Sequence, residues 1–426
     1  MKPVALFDKS FLQSLSLDES VWFNHFFQVN ICPLFYVETL ADLDKHFING
    51  KRDPEREVKI IAKKFPDQGR PSAYHGQLAL GNLLGRPINM DGAIPLLYGQ
   101  LVPVGQHVSA IYKSSPESEA FRRWVEGKFF EVERRYAKIW RQKTQQLDLR
   151  LFSEIPILAS VDVESCRTLR EAKTLAEAFV SSNENAINCM NLILRYLDIP
   201  EKAKDVVLQP WRDTGSKPLI EFAPYAAHIL TVEIFFNIAL AKGFLSAKRP
   251  SNRIDVAYLF YLPFCDCFVS SDNLHERCTP LFLRENQSFV RGEKLKEGLK
   301  QLNEFYLQLP EKTKEEGIIN FAADPPKEKD SIVKELWDRH VPGWRDKPIL
   351  SPEIRSEDES HVKNIMKQTF DMTKKQVSSF PPLDSQNVDY FMVQSVVRPK
   401  KGSWWQIPKS AVDELARRSD LKSEDD

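Results

Sequence analysis

The chain has 426 residues, 42% of them apolar and 11% aromatic, enough for one or more packed cores and too much for general disorder. Lys plus Arg and Asp plus Glu stand at 59 each, so the formal net charge is zero and no global basic field draws in polyanions. Any nucleic-acid contact would have to come from a local groove. The start, MKPVALFDKS, has too short an apolar run and too early an acid for a secretory signal, and no stretch of about 20 uninterrupted apolar residues offers a membrane span. The six cysteines are scattered in a chain too large to depend on disulfides. These features predict a reduced, cytoplasmic protein with no membrane partner.

The apolar run Pro3 to Phe7 predicts a buried strand ending at Asp8-Lys9-Ser10. Ser16 to Gln28 reads as a helix, with Ser16 as N-cap and Glu19 completing a capping box. Val29 to Cys32 predicts a second strand, and Leu34 to Phe47 a second helix with Pro33 near its first turn. Glu38 and Asp42 lie four apart and share a face, with Asp42 holding the stronger claim to a solvated position. Strand, helix, strand, helix opens an α/β fold.

The rhythm then breaks. Gly50 to Gln68 is charged and reads as helix plus loop, and Gly69 to Gly105 as loop with a short helix around SAYHGQ. That glycine-rich stretch lacks the GxxxxGK[ST] order of a nucleotide loop. Pro116 to Gln146 reads as one charged helix with Phe121, Trp124, Phe129, Val132, Tyr136 and Ile139 near helical spacing. Its arginines (122, 123, 134, 135, 141) interleave with glutamates, which reads as a salt-bridged solvent face. Further helices are expected at Arg167 to Val180, Glu184 to Leu197 and Pro224 to Lys242. Residues 51–217 are expected to form a mainly helical insertion splitting one α/β domain, 1–50 and 218–309.

The segment Ile254 to His275 is the centre of the chain. Val256 to Leu262 predicts a short buried helix, interrupted by Pro263, and Phe264 to Val269 a strand followed by the turn signal Ser-Ser-Asp-Asn. Asp272 would then sit at the carboxyl end of a buried strand, where open α/β sheets place their ligands. Cys265 and Cys267 share one strand face; with no second pair at finger spacing they read as buried apolar residues. Leu281 to Leu283 is expected as an edge strand, and Gly292 to Leu309 as an amphipathic helix ended by Pro310. Residues 310–426 turn charge-rich and are expected to form a partly ordered appendage around Trp337, Trp344 and Trp404-Trp405, with a frayed SDLKSEDD end.

Asp8 after the first strand with Ser10 close behind, Glu38 on the second helix, Asp255 before a buried helix, and FCDCFVSSD ending in Asp272 resemble a PIN domain over roughly residues 3–48 and 220–309. PIN domains are metal-dependent nucleases with a parallel sheet flanked by helices. The resemblance implies that Asp8, Glu38, Asp255 and Asp272 are catalytic and hold Mg²⁺ or Mn²⁺, with Asp266 a further acid of the metal set. It implies that the Ser10 hydroxyl bonds into the site, and that RNA rather than DNA is the substrate. Lys9 departs from the small or hydroxyl residue more usual there; an inward ammonium would neutralise an acid.

The chemistry suits the acids independently of the family. Mg²⁺ takes oxygen ligands and keeps several waters, and such ions activate water and stabilise phosphoryl charge. Crowded carboxylates repel and raise one another's pKa values unless a cation is present. Each acid also has a plain reading: Asp8 a turn residue or cap, Glu38 a solvated helix residue, Asp255 an N-cap, Asp272 a strand terminator. His75 could line the substrate groove or be a structural loop histidine. Arg249 and Arg253, with Lys248 and Trp211-Arg212, could contact a phosphate backbone or form a solvated surface. The expectation is an endonuclease, in particular an endoribonuclease. A non-catalytic PIN-like module binding nucleic acid or protein is the rival, and a phosphatase for small phosphoesters a third reading. Homo-oligomerisation is left open.

Overall fold

Alternation in the first apolar run sets the layers. Strand β1 (Val4–Phe7) turns Leu6 to one side and Ala5 and Phe7 to the other, as a period of two requires. Each side is covered by its own core, so the sheet is buried on both faces between helices. The computed structural model of the chain describes residues 2–45, 53–96, 99–104, 107–112, 115–153, 163–346, 390–393 and 397–423.

β1 pairs in parallel with β2 (Gln28–Ile31), which pairs in parallel with β3 (Arg70–Pro71). Strands β4 (Gly99–Val104) and β5 (His107–Tyr112) form an antiparallel hairpin outside this sheet. On the other side of β1 lies β6 (Cys267–Ser270), with Ala5 opposite Cys267, followed by β7 (Ser288–Arg291). The order β3-β2-β1-β6-β7 is an all-parallel, five-stranded sheet. β8 (Tyr390–Val393) joins β5 in parallel, making a separate three-stranded sheet. The β4–β5 hairpin falls in and beyond the stretch read as loop.

On the Leu6 side, Phe268 meets a helical layer built around Pro224–Ala241. That helix is long and apolar enough by length and composition to cross a membrane, although His228, Glu233 and Asn237 interrupt its apolar run, and it is buried within this core. Helices His75–Leu83, Leu169–Ser181 and Ala186–Tyr196 pack around it. On the Phe7 side, Cys267 and Val269 meet helices Leu17–Phe26, Pro54–Lys64, Pro116–Val125 and Gly292–Leu307. Residues between 51 and 217 therefore contribute to both cores. Trp337, Trp344 and Trp404 are also buried in the Phe7-side core, so the C-terminal residues that carry them are part of it.

The capping box forms as read: Ser16 Oγ accepts the Glu19 N–H at 3.1 Å and the Ser16 N–H donates to Glu19 Oε2 at 2.7 Å. The helix expected over 116–146 is two, Pro116–Val125 and Glu131–Gln146. Gly127, at φ +78°, ends the first, with Lys128 N–H on Arg123 O and Gly127 N–H on Trp124 O. The expected strand at 281–283 is instead the end of helix Asn273–Phe282, and the edge strand is β7. The C-terminal SDLKSEDD, expected to fray, continues helix Lys409–Ser423 as far as Ser423.

The chain does not break at Pro263. Helix Asn252–Ala257 tightens into a 3₁₀ stretch, Tyr258–Phe264, that runs through the proline. Side chains from elsewhere serve its carbonyls: His228 Nε2 on Leu259 O at 3.0 Å, Tyr225 Oη on Phe260 O at 3.2 Å and Gln287 Nε2 on Leu262 O at 2.6 Å. This fixes the approach to β6 and, with it, the placement of Asp255 and Tyr258.

Candidate functional site

From β1 the chain proceeds to β2 and β3 on one side, while β6 and β7 lie on the other. β1 and β6 are therefore the neighbours at which strand order reverses, and open α/β sheets bind their ligands in the crevice outside such carboxyl ends. Asp8 is the first residue past β1, and its N–H still donates to Val269 O of β6 at 3.2 Å. It caps helix Lys9–Ser14: Oδ1 accepts the Phe11 N–H at 3.0 Å. Oδ2 accepts the hydroxyls of Ser10 at 2.6 Å and Ser270 at 3.0 Å. Asp272 follows β6 and caps helix Asn273–Phe282, taking the Leu274 N–H at 2.6 Å on Oδ1 and Arg249 Nη2 at 3.2 Å on Oδ2. For both residues the cap and a place at the crevice hold together.

Glu38 reaches the same region from helix Pro33–Ala41 and accepts the hydroxyl of buried Tyr258 at 2.5 Å. Asp255 lies inside helix Asn252–Ala257 and is not its N-cap. Its Oδ2 is buried without a hydrogen-bond partner among the described residues. Burial, then the charges of Glu38 and Asp272, push its carboxyl up to about 8; Asp8 adds to this and Arg249 opposes it. Burial also raises Glu38, with Lys9 and Tyr258 pulling it back and Asp8 and Asp42 pushing it up. The four acids from separate elements thus lie within reach of one another's charge.

Three further groups tie the cluster together. Ser270, fully buried at the end of β6, accepts the Asp272 N–H at 3.0 Å, donates to Asp8, and lies 2.7 Å from His275 Nδ1. His275 Nε2 lies 2.7 Å from the carbonyl of Asp255, so that nitrogen carries a proton and donates. In the neutral ring Nδ1 then accepts, and the single hydroxyl proton of Ser270 faces two acceptors, Asp8 and His275. Tyr258 packs edge-on to His275 at 5.5 Å. None of the three was singled out from the sequence. Their signal there is slight: Ser270 two residues before Asp272 and His275 three after it.

Lys9 points inward. Its Nζ donates to the Glu38 carbonyl at 3.2 Å and to Asp42 Oδ2 at 3.0 Å. Asp42, expected to be solvated, is buried and holds this ammonium beside Glu38. Ser10 is placed as expected, on Asp8, and Arg249 sits exposed at the rim beside Asp272.

Asp266, Arg253 and His75 are not placed as expected. Asp266 precedes β6 and its Oδ2 accepts the N–H of Val4, the first residue of β1. It is therefore at the amino edge of the sheet, separated from the other acids by the length of β6. Arg253 turns into the helical layer and pairs with buried Glu233 at 2.8 Å, so it is a core ion pair and not a phosphate contact. His75 is buried, its Nδ1 3.3 Å from the Tyr261 hydroxyl and its Nε2 3.2 Å from that of Tyr196. Burial, aided by Arg253, lowers its pKa to about 3, which leaves it neutral and structural at ordinary pH. Trp211 is likewise buried, its indole N–H on Lys217 O at 2.7 Å, and Arg212 pairs with Asp205. Cys265 and Cys267 are buried free thiols.

The donor set fits a hard divalent cation in kind: all oxygen, mutually repelling, with one buried carboxylate oxygen unpartnered. Among the described residues no three His, Cys, Asp or Glu side chains stand close enough to share one ion. Mg²⁺, which is commonly held by one or two carboxylates and completes its shell with water, does not require three. No protein-family model, curated protein or solved structure matches the chain.

Proposed function

We propose that the chain is a divalent-metal-dependent nuclease of PIN-like type, hydrolysing phosphodiester bonds, with RNA as the preferred substrate on the strength of the resemblance. The observation that carries the reading is the gathering of Asp8, Glu38, Asp255 and Asp272 at one strand-order reversal, with a buried oxygen of Asp255 left unpartnered. Asp255 and Glu38 are the groups whose charge is most in need of a counter-ion, and they would hold Mg²⁺ or Mn²⁺. The ion would supply Lewis acidity and an activated water.

The chain's own residues do the rest. Ser10, Ser270 and the Phe11 N–H lock the Asp8 carboxylate in one orientation. Tyr258 fixes Glu38, and the rim guanidinium of Arg249 is suited to a non-bridging phosphate oxygen. In calorimetric titration with Mn²⁺, the wild type should bind in the presence of the four acids, and Asp255→Asn should weaken binding at least about tenfold. Equal affinity in the two proteins would refute the assignment.

One observation favours a second reading, a PIN-like module that binds without cutting. Lys9 places an ammonium beside Glu38, where a metal's charge would act. Under that reading Asp8→Asn and Asp272→Asn leave function intact; under the first they abolish cleavage while the fold survives.

A further inference from the structure

Lys9 is the residue at which the chain departs from the resemblance, and it carries an ammonium in among the acids. It opens helix Lys9–Ser14 directly after Asp8. Its Nζ lies 3.0 Å from Asp42 Oδ2 and 3.2 Å from the carbonyl oxygen of Glu38. Glu38 belongs to helix Pro33–Ala41 and Asp42 is that helix's C-cap, so the two acids are one turn apart and the ammonium spans the turn. Asp42 is buried, and Lys9 is its ion-pair partner. Burial raises the Glu38 carboxyl, and Lys9 is the largest charge that pulls it back.

Each acid of the cluster but one already has its partners. Asp8 accepts the hydroxyls of Ser10 and Ser270 and the Phe11 N–H. Asp272 accepts the Leu274 N–H and the Arg249 guanidinium. Glu38 accepts the Tyr258 hydroxyl and has Lys9 on its carbonyl, while Asp42 has Lys9 itself. Asp255 differs, because its buried Oδ2 has no hydrogen-bond partner among the described residues. Two-ion sites for phosphoryl transfer set their ions about 3.5–4 Å apart, so that two positive charges flank the reacting group. Here the Glu38–Asp42 end holds a fixed positive charge of the chain's own, and the open demand for a cation is at Asp255.

We infer that Lys9 is a resident cation standing in for a second metal ion, so that the acid cluster takes one divalent ion, at Asp255, and not two. Asp42 is its positioning residue. The inference rests on the nuclease reading for the ion itself, and its test counts ions without reference to cleavage. Titration of the purified full chain with Mn²⁺, followed by the electron paramagnetic resonance signal of the free ion, gives the number bound. The wild type and Lys9→Arg should each bind one. Lys9→Met removes the charge and leaves the Asp42 carboxylate and the Glu38 oxygens open to a cation, so it should bind two. Because Asp42 is then buried without a counter-charge, the thermal midpoint of Lys9→Met should fall in chelator and recover in Mn²⁺. Lys9→Met/Asp42→Asn, which strands neither charge, should bind one ion and lack that extra recovery. Two ions in the wild type, a single ion in folded Lys9→Met, or a Lys9→Met whose stability Mn²⁺ does not recover would overturn the inference and leave the metal site at Asp255 standing. No Mn²⁺ bound by any of these proteins would remove the metal reading and this inference with it.

Discussion

Asp255 makes opposite demands on stability and on function. Its folded carboxyl, raised to about 8, lies well above the ordinary value of about 3.9. Between those pH values the folded, metal-free protein keeps a proton that the unfolded chain has released, so its contribution to stability is present at low pH and is lost as pH rises through about 8. Asp255→Asn should therefore raise the thermal midpoint at pH 8 in chelator by a few degrees, leave it nearly unchanged at pH 4, and remove cleavage. Scanning fluorimetry at the two pH values checks the first two outcomes; an equal shift at both would contradict the linkage. Ser270 serves three partners at once, and Ser270→Ala strands the Asp272 N–H and deprives Asp8 of one donor. A loss of about 1–3 kcal/mol in urea unfolding is expected, with weakened Mn²⁺ binding beside it.

At the scale of elements, local signals carried far and tertiary ones did not. β1, β2 and the Ser16–Glu19 capping box were legible because each is written within a few residues. β3 is two residues long and contains a proline, which a sheet edge tolerates and a sequence pattern does not display. Leu281–Leu283 was misread because a short apolar run has no period to separate strand from helix; there it closes a helix that continues past Pro280. Asp8, Glu38, Asp255 and Asp272 could be picked out by their position before, within or after predicted elements. Asp266 could not be separated from them, since strand direction decides which end of β6 faces the crevice. Nor could Arg253 and His75 be placed, because Glu233, Tyr196 and Tyr261 reach them from distant parts of the chain. The same holds for the C-terminal stretch. Trp404, fully buried with its ring centroid 4.7 Å from that of Trp22 and its indole N–H on Asn303 at 2.8 Å, makes residues near it part of the main core. Trp404→Ala should cost about 3–5 kcal/mol in global urea unfolding; a loss seen only as local proteolysis of the tail would show that the tail docks without sharing the core.

For the whole molecule, the proposed reading asks a chain of zero net charge to meet a polyanion beside clustered acids, which takes a local cation. Arg249 stands exposed beside Asp272. A parallel sheet covered on both faces supplies the rigidity that holds four carboxylates together against their repulsion, and a divalent ion would relieve that repulsion. The most direct measurement is incubation of the purified full chain with labelled single-stranded RNA and DNA, in Mn²⁺, in Mg²⁺ and in chelator, beside Asp272→Asn. Cleavage that requires the metal, favours RNA and disappears in the variant is the predicted result. A folded wild-type protein that cuts neither substrate with either metal, or a variant that cuts as well as the wild type, would contradict it.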